Sequence, residues 1–240
     1  MLASGGGSNL GAILAHFEAL AGVPGSERPG EIVLVASDQA KAGALDRAGA
    51  AGVASFALDR HRRGAGLLPL LREHAIDLVV LAGYLRLVPS DVTREFRGRI
   101  VNVHPALLPA FGGPGMYGHH VHRAVIERGV RVTGVTVHFV DDAYDQGPII
   151  AQWPVPVFPG DVADSLARRV LAVEHLVYPR AVQHLAAGRI RLGVDGRVSS
   201  DAEQVGDGSF TLATDPIAAV PGIERMLQGP SSPAGATSED

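Results

Sequence analysis

A chain of 240 residues, 46% hydrophobic and 19% charged, is long enough for one α/β domain with a full core, or at most two small ones. It has no cysteine, which excludes disulfides, thiol catalysis and thiolate metal sites. The net charge of -4 comes with scattered basic residues, and no apolar run reaches the roughly 18 residues of a membrane span, so a cytoplasmic protein with neither nucleic acid nor membrane as partner is expected.

In chain order, Met1-Leu2-Ala3 leads into Ser4-Gly5-Gly6-Gly7-Ser8-Asn9, and then Leu10, Ile13, Leu14, Phe17 and Leu20 recur at helical spacing. This is a glycine-rich turn opening a helix, where unpaired backbone N–H groups and the positive end of the helix dipole favour an anion. A simple helix cap at Ser8 or Asn9 is the alternative. Such a turn ordinarily follows a strand of about five or six residues. Only Met1 to Ala3 precede it, so either the first strand is cut short or the reading frame begins upstream.

Glu31 to Ser37 reads as a near-continuous apolar strand, Ala40 to Ala50 as an alanine-rich helix ending at Gly52, and Val53 to Ala57 as a short strand. Leu58-Asp59-Arg60-His61-Arg62-Arg63 is the one dense basic patch, either a solvated loop or a contact for an anionic ligand. Leu67 to His74 reads as a helix and Asp77 to Ala82 as a buried strand. Arg99 to Pro109, RIVNVHPALLP, holds a short buried strand that Pro105 stops. Strands that alternate with helices and are apolar throughout predict an α/β fold: a mostly parallel, doubly wound, Rossmann-like sheet with helices on both faces. Ligands of such sheets lie outside the carboxyl ends of the strands, which brings the turns at Gly5–Asn9 and Gly83–Arg86 and the end of the Asn102/His104 strand to one crevice.

Further on, Ala110 to Gly118 is a glycine-rich loop, His119 to Arg128 a helix, and Val132 to Val140 a long strand with alternation. The acidic turn Asp141 to Pro148 feeds the strand Ile149 to Val157, which Pro154 and Pro156 mark as an antiparallel edge. Asp161 is expected to cap a long helix through Glu174 and His175 that Pro179 ends or kinks. Past Gly188 only short strand-like pieces remain, at Arg189–Leu192 and Ser209–Ala213. The expected organisation is an α/β domain over residues 1–190, a strand-like extension packed on it over 191–227, and a disordered tail over 228–240.

Asn102 and His104, two apart on a strand, point to one face near its C-terminal end. A pair of satisfied core polar groups is one reading. The other adds Asp145, which its turn brings within reach of His104, raising the imidazole pKa and orienting the ring. A cationic imidazole beside an amide donor suits a tetrahedral oxyanion, and with neither cysteine nor a well-placed serine the chemistry is acyl transfer to an amine without a covalent intermediate. His119, His120 and His122 are a poor metal set, because 119 and 122 are helical neighbours while 120 points elsewhere, so no metal is expected. His138 faces the same end of the sheet and is expected either to be a core group or to support the centre from behind.

Taken together, Ser4-Gly5-x-Gly7-Ser8-Asn9-Leu10, Ala82-Gly83-Tyr84-Leu85-Arg86, Asn102-x-His104-Pro105-x-Leu107-Leu108-Pro109, Gly112-Gly113-x-Gly115-Met116-Tyr117-Gly118, Val137-His138-Phe139, Asp145-x-Gly147-Pro148 and Glu174-His175-x-x-Tyr178-Pro179 form an ordered series. Over about residues 4 to 190 this series resembles the phosphoribosylglycinamide formyltransferase family. The resemblance implies transfer of the formyl group of 10-formyltetrahydrofolate, a co-substrate, to the amine of glycinamide ribonucleotide in purine synthesis; a monomer or homodimer is expected. It implies that Asn102 and His104 bind the formyl oxygen as it turns negative, and that Asp145 holds His104 protonated and, through water, takes the amine's proton. Gly7, Ser8 and Asn9 would cradle the substrate phosphate, and Glu174 would bond the ribose or glycinamide. Arg86, Leu87, Val88, Asn102, Val140, Asp141 and Tyr144 would line the folate pocket. Leu171 stands where some relatives have a polar residue near the phosphate, which shifts weight to Arg62 and Arg63. The rival readings are 10-formyltetrahydrofolate hydrolase, methionyl-tRNA formyltransferase and a non-catalytic phosphosugar- or folate-binding protein.

Overall fold

In the computed structural model, residues 1–22, 29–59 and 66–200 are described. Helices are α1 (Ser8–Ala21), α2 (Gly43–Ala50), α3 (Leu67–Glu73), α4 (Ser90–Glu95), α5 (His119–Glu127) and α6 (Ala163–Ala186). Strands are β1 (Leu34–Ser37), β2 (Ala54–Ala57), β3 (Val79–Leu81), β4 (Ile100–His104), β5 (Val132–Phe139), β6 (Ile149–Pro156), β7 (Ile190–Leu192) and β8 (Val198–Ser200). β1 pairs with β2 and β3 with β4, both in parallel. Leu2 bridges Ala36 of β1 and Leu81 of β3, also in parallel, so the Met1–Ala3 stretch stitches the two groups into one sheet. Its amides are used on both sides, with Leu2 N–H donating to Val80 O at 2.9 Å and Ala3 N–H to Ala36 O at 3.1 Å.

The sheet is mostly parallel, as expected, and β6 forms the antiparallel-paired edge. The strand that runs against the rest is β5, one position in from that edge and antiparallel to both β4 and β6. β1 and β3 are shorter than the apolar runs Glu31–Ser37 and Asp77–Ala82, because a strand extends only where a neighbour offers partners: β2 has four residues and the Met1–Ala3 stretch three. β5 is buried continuously from Thr133 to Phe139 rather than on alternate residues. Val135, Val137 and Phe139 pack into the core with α6, while Thr136 and His138 on the other face are hydrogen-bonded.

Side-chain alternation along the strands sorts the core into two halves. Val35, Val80, Val101 and Val103 pack with α1, α2, α5 and α6, and Leu34, Ala36, Val79, Leu81 and Ile100 pack with α3 and α4. The short α4 was not legible in the sequence, since six residues are under two helical turns and give no period. Asp161 lies just outside α6 and does not cap it: its carboxylate accepts from Phe158 N–H, Ser165 Oγ and the Arg169 guanidinium, while Ser165 Oγ accepts from Val162 N–H. Pro179 does not end α6, which continues to Ala186. Next to it the fully buried Tyr178 donates its hydroxyl hydrogen to Leu81 O at 2.6 Å, with Val101 O at 3.2 Å, and so anchors the helix to β3 and β4.

The strand-like piece at Arg189–Leu192 is β7, paired antiparallel with β8. The pieces expected at Arg60–Arg63, Ser209–Ala213 and 228–240 lie outside the described residues. Among the described residues, no helix is long and apolar enough to cross a membrane.

Candidate active site

A cavity of about 580 Å³ opens at the carboxyl ends of the Met1–Ala3 stretch, β3 and β4. Its wall contains Gly7, Ser8, Asn9, Asn102, His104, Tyr144, Asp145 and Glu174, together with the Gly113–Gly118 loop.

β4 and β5 build its reacting end. The register sets Asn102 opposite His138 and His104 opposite Thr136, all on one face. Asp145 Oδ2 lies 3.6 Å from His104 Nδ1, and its Oδ1 lies 3.7 Å from His138 Nε2. Asp145 has a positive φ of 55°, a conformation that aspartate tolerates better than most residues. The turn that carries it presses on β5 at Gly147, where a Cβ would come 1.9 Å from Phe139 O, so only glycine fits. Gly113 N–H also donates to Asp145 Oδ2 at 2.9 Å and ties the glycine-rich loop to the carboxylate.

Carbonyl oxygens only accept, and that fixes both imidazoles: His104 donates through Nε2 to Phe111 O, and His138 through Nδ1 to Phe139 O, each at 2.8 Å. His138 Nε2 then accepts from Asn102 Nδ2 at 3.2 Å, which orients the amide and leaves its second N–H for a ligand. The expected rise in the His104 pKa is not found. Burial drives it below its usual value, and Asp145 and the Phe111 carbonyl oppose this only in part. His138 is pushed down for the same reason, and it lies behind the cavity rather than on its wall.

The other end of the cavity is the start of α1. Gly7 takes a positive φ of 73°, and a Cβ there would lie 2.8 Å from Ala44 Cα. No side chain caps the helix, so neither Ser8 nor Asn9 plays that part, and the first-turn amides remain open to an anion. Instead the Asn9 amide donates to Glu174 Oε2 at 2.7 Å, although the two residues are 165 apart in sequence. Burial pushes the Glu174 carboxyl up to about 7, with the Asn9 bond pulling the other way. Leu171 lines the cavity one helical turn from Glu174, and Arg62 and Arg63 fall outside the described residues. A different guanidinium holds the turn: Arg47 Nε donates to Gly6 O at 2.8 Å.

Of the residues expected to hold folate, Asn102 and Tyr144 line the cavity. Arg86, Leu87, Val88, Val140 and Asp141 do not, although Tyr84 and Leu85 beside them do. Arg86 pairs with Asp38 at 3.2 Å and Val88 is buried in the core with α4. Sequence reasoning missed Ser4, whose hydroxyl donates to Asp38 and accepts from Leu85 N–H, locking the two turns together. It also missed Thr136, which donates to Ala106 O and accepts from Leu108 N–H and Gln152 Nε2. The signal for Thr136 was its spacing, two residues from His138 on one strand, like Asn102 and His104. His119 faces Asp164 at 3.2 Å and His120 stacks edge-on with Tyr117, while His122 is buried on the cavity wall. Among the described residues no three histidine, aspartate or glutamate side chains are grouped to hold a metal.

Residues 1–182 match the formyl transferase family. The phosphoribosylglycinamide formyltransferase of Escherichia coli K12 is 37% identical over 198 residues, covering 80% of this chain and 88% of that protein. The chloroplastic phosphoribosylglycinamide formyltransferase of Arabidopsis thaliana is 40% identical over 200 residues, covering 80% of this chain; the chain spans 66% of that protein's length, just under two thirds. The crystal structure of phosphoribosylglycinamide formyltransferase from Anaplasma phagocytophilum superposes with a TM-score of 0.75 at 37% identity, covering 84% of this chain and 92% of the other. With β1 to β6 and all but the last turn of α6 inside the matched residues 1–182, this chain belongs to the formyl transferase family.

Proposed function

We propose that this chain transfers the formyl group of 10-formyltetrahydrofolate to the amine of glycinamide ribonucleotide. It acts in the cytoplasm as a monomer or homodimer on these two small molecules, with no nucleic acid or membrane involved. The relatives' names support the acceptor, and the net charge of -4 supports the absence of nucleic acid. The observation that carries the reading is the convergence of Asn102, His104 and Asp145 on one cavity wall, with the open amides of α1 at the other end of the same cavity.

In this reading the α1 amides and Gly7 hold the phosphate, and Glu174 bonds the ribose or glycinamide. The folate lies on the stretch of cavity wall formed by Tyr84, Leu85, Asn102 and Tyr144. The amine attacks the formyl carbon, and the carbonyl electron pair moves onto oxygen. Asn102 meets that oxygen with its free N–H. His104, neutral because it is buried, meets it with Nε2–H, exchanging the Phe111 carbonyl for the formyl oxygen on binding. Asp145, through water, takes the proton from the amine nitrogen once its addition has made that nitrogen cationic, and returns it through water to the folate nitrogen as collapse of the intermediate breaks the bond from the formyl carbon to that nitrogen.

The test is a formyl-transfer assay with both substrates, and with hydrolysis in the absence of glycinamide ribonucleotide as control. His104→Ala is expected to lower turnover about a hundred- to thousand-fold, the usual effect of removing an oxyanion donor, with glycinamide ribonucleotide still bound. Formyl release that ignores the amine substrate would make the chain a hydrolase instead. Undiminished turnover in His104→Ala would remove the mechanism.

A further inference from the structure

The ends of three neighbouring parallel strands meet at one carboxylate. Asp38 directly follows β1 and is 3% exposed, yet it does not line the reaction cavity. A buried carboxylate needs hydrogen-bond and charge partners, and three side chains supply them. Its Oδ1 accepts from the Ser4 hydroxyl, and its Oδ2 accepts from Gln39 Nε2–H at 3.1 Å and lies 3.2 Å from Arg86 Nε. Ser4 follows the Met1–Ala3 stretch, which lies between β1 and β3, and Arg86 belongs to the turn after β3.

The contact has a direction. A carboxylate only accepts, so the single hydrogen of Ser4 Oγ is committed to Asp38, and its lone pairs are left for Leu85 N–H, which donates to it at 3.0 Å. Asp38 therefore reaches Leu85 through Ser4, and Arg86 directly. The turns joined in this way serve different ends of the cavity. Ser4 runs into the glycine turn at the start of α1, while Tyr84 and Leu85 form wall where the folate lies in the reading above. The glycine turn has its own support from α2, with Ala44 N–H donating to Gly5 O at 3.1 Å and Arg47 to Gly6 O at 2.8 Å. Between the two turns, the backbone bond from Ser4 N–H to Gly83 O at 3.0 Å fixes one point, and the path through Asp38 fixes the next and so the angle.

We propose that Asp38 is a positioning residue: through Ser4 and Arg86 it sets the acceptor turn against the folate turn, and with them the approach of the amine to the formyl carbon. The proposal rests on the two substrates proposed above and deepens that reading. Reacting atoms must come within about 3 to 3.5 Å, and a misplacement of about 1 Å costs on the order of a hundred-fold. Loosening the tie slows reaction of the bound pair and spares binding of the acceptor, whose turn α2 still holds.

The experiment measures kcat and KM with both substrates for wild type, Asp38→Ala, Asp38→Asn, Ser4→Ala and the double variant Ser4→Ala/Asp38→Ala. Asp38→Ala is expected to lower kcat about ten-fold or more, with KM for glycinamide ribonucleotide within about two-fold of wild type. Ser4→Ala should lose a similar share, and the double variant should be little worse than the poorer single one, because the two residues act as a unit. Asp38→Asn, whose side-chain oxygen can still accept from Ser4, should regain part of kcat. A wild-type kcat in Asp38→Ala, whatever its Tm, would show that the carboxylate only stabilises the fold and would overturn the proposal. So would a KM that rises as steeply as kcat falls, or losses that multiply in the double variant. Should Asp38→Ala fail to fold, Ser4→Ala and Asp38→Asn decide, and wild-type turnover in Ser4→Ala refutes the proposal. A wild type that forms no product from the two substrates would instead refute the proposed function, so the two failures are distinguishable.

Discussion

Glu174 shows what a buried titratable group does to the free protein. Its carboxyl is raised from 4.5 to about 7 because burial penalises the charged form more than the Asn9 amide stabilises it. The folded state thus binds this proton more readily than the unfolded chain, so the contribution of Glu174 to stability is largest below about 4.5 and falls as pH rises through about 7. Glu174→Gln should therefore lack this part of the pH dependence between those values, and should be more stable relative to wild type at pH 8 than at pH 5; urea denaturation of both proteins at the two pH values measures it. A constant difference between the two would mean that the carboxyl is charged throughout. Sequence spacing put Asn102 and His104 on one face because β-strand geometry is local. The fall in the His104 pKa was not legible, since it depends on how deeply β5 and the Phe111 loop enclose the ring, and burial by distant segments leaves no mark near residue 104.

At the scale of elements, the start of α1 combines open amides, a glycine in the left-handed region and a turn held by Arg47. Ser8→Asp would place a carboxylate among those amides, where the helix dipole welcomes it and the substrate phosphate would meet its charge. The expected outcome is a Michaelis constant for glycinamide ribonucleotide raised by roughly ten-fold or more, from a repulsion of about 1 to 4 kcal/mol at close range, with kcat much less affected. An unchanged constant would place the phosphate elsewhere. Helix and glycine turn were both plain in the sequence, because periodicity and left-handed glycine are local signals. Arg47 was not, because what ties it to Gly6 is the docking of α2 on the turn, 41 residues away. The course of α6 through Pro179 was hidden similarly: proline removes a donor locally, and the opposing anchor is Tyr178 on two strand carbonyls.

For the whole molecule, the α/β class followed from strands alternating with helices, and the mixed directions of β4, β5 and β6 rest on connections whose path the sequence does not print. The cavity joins α1, β4, the Asp145 turn, α5 and α6, so a ligand that fills it holds together elements as far apart in the chain as Ser4 and Glu174. Glycinamide ribonucleotide at a hundred times its dissociation constant should add about 2.7 kcal/mol to the unfolding free energy. In a domain of this size that is a rise in Tm of about 5 to 10 °C, readable by calorimetry. A wild-type Tm that ignores the nucleotide would sink the acceptor site as drawn.

Thr136 faces none of the reactants, yet its one hydroxyl serves the carbonyl of Ala106, the amide of Leu108 and the side chain of Gln152 from the outermost strand. The segment that leaves His104 is thus moored to the far margin of the sheet by a single oxygen atom. In a screen for lost turnover, Thr136→Val or Gln152→Leu would masquerade as damage to the reacting centre, and a map of such hits would trace the mooring line rather than the pocket.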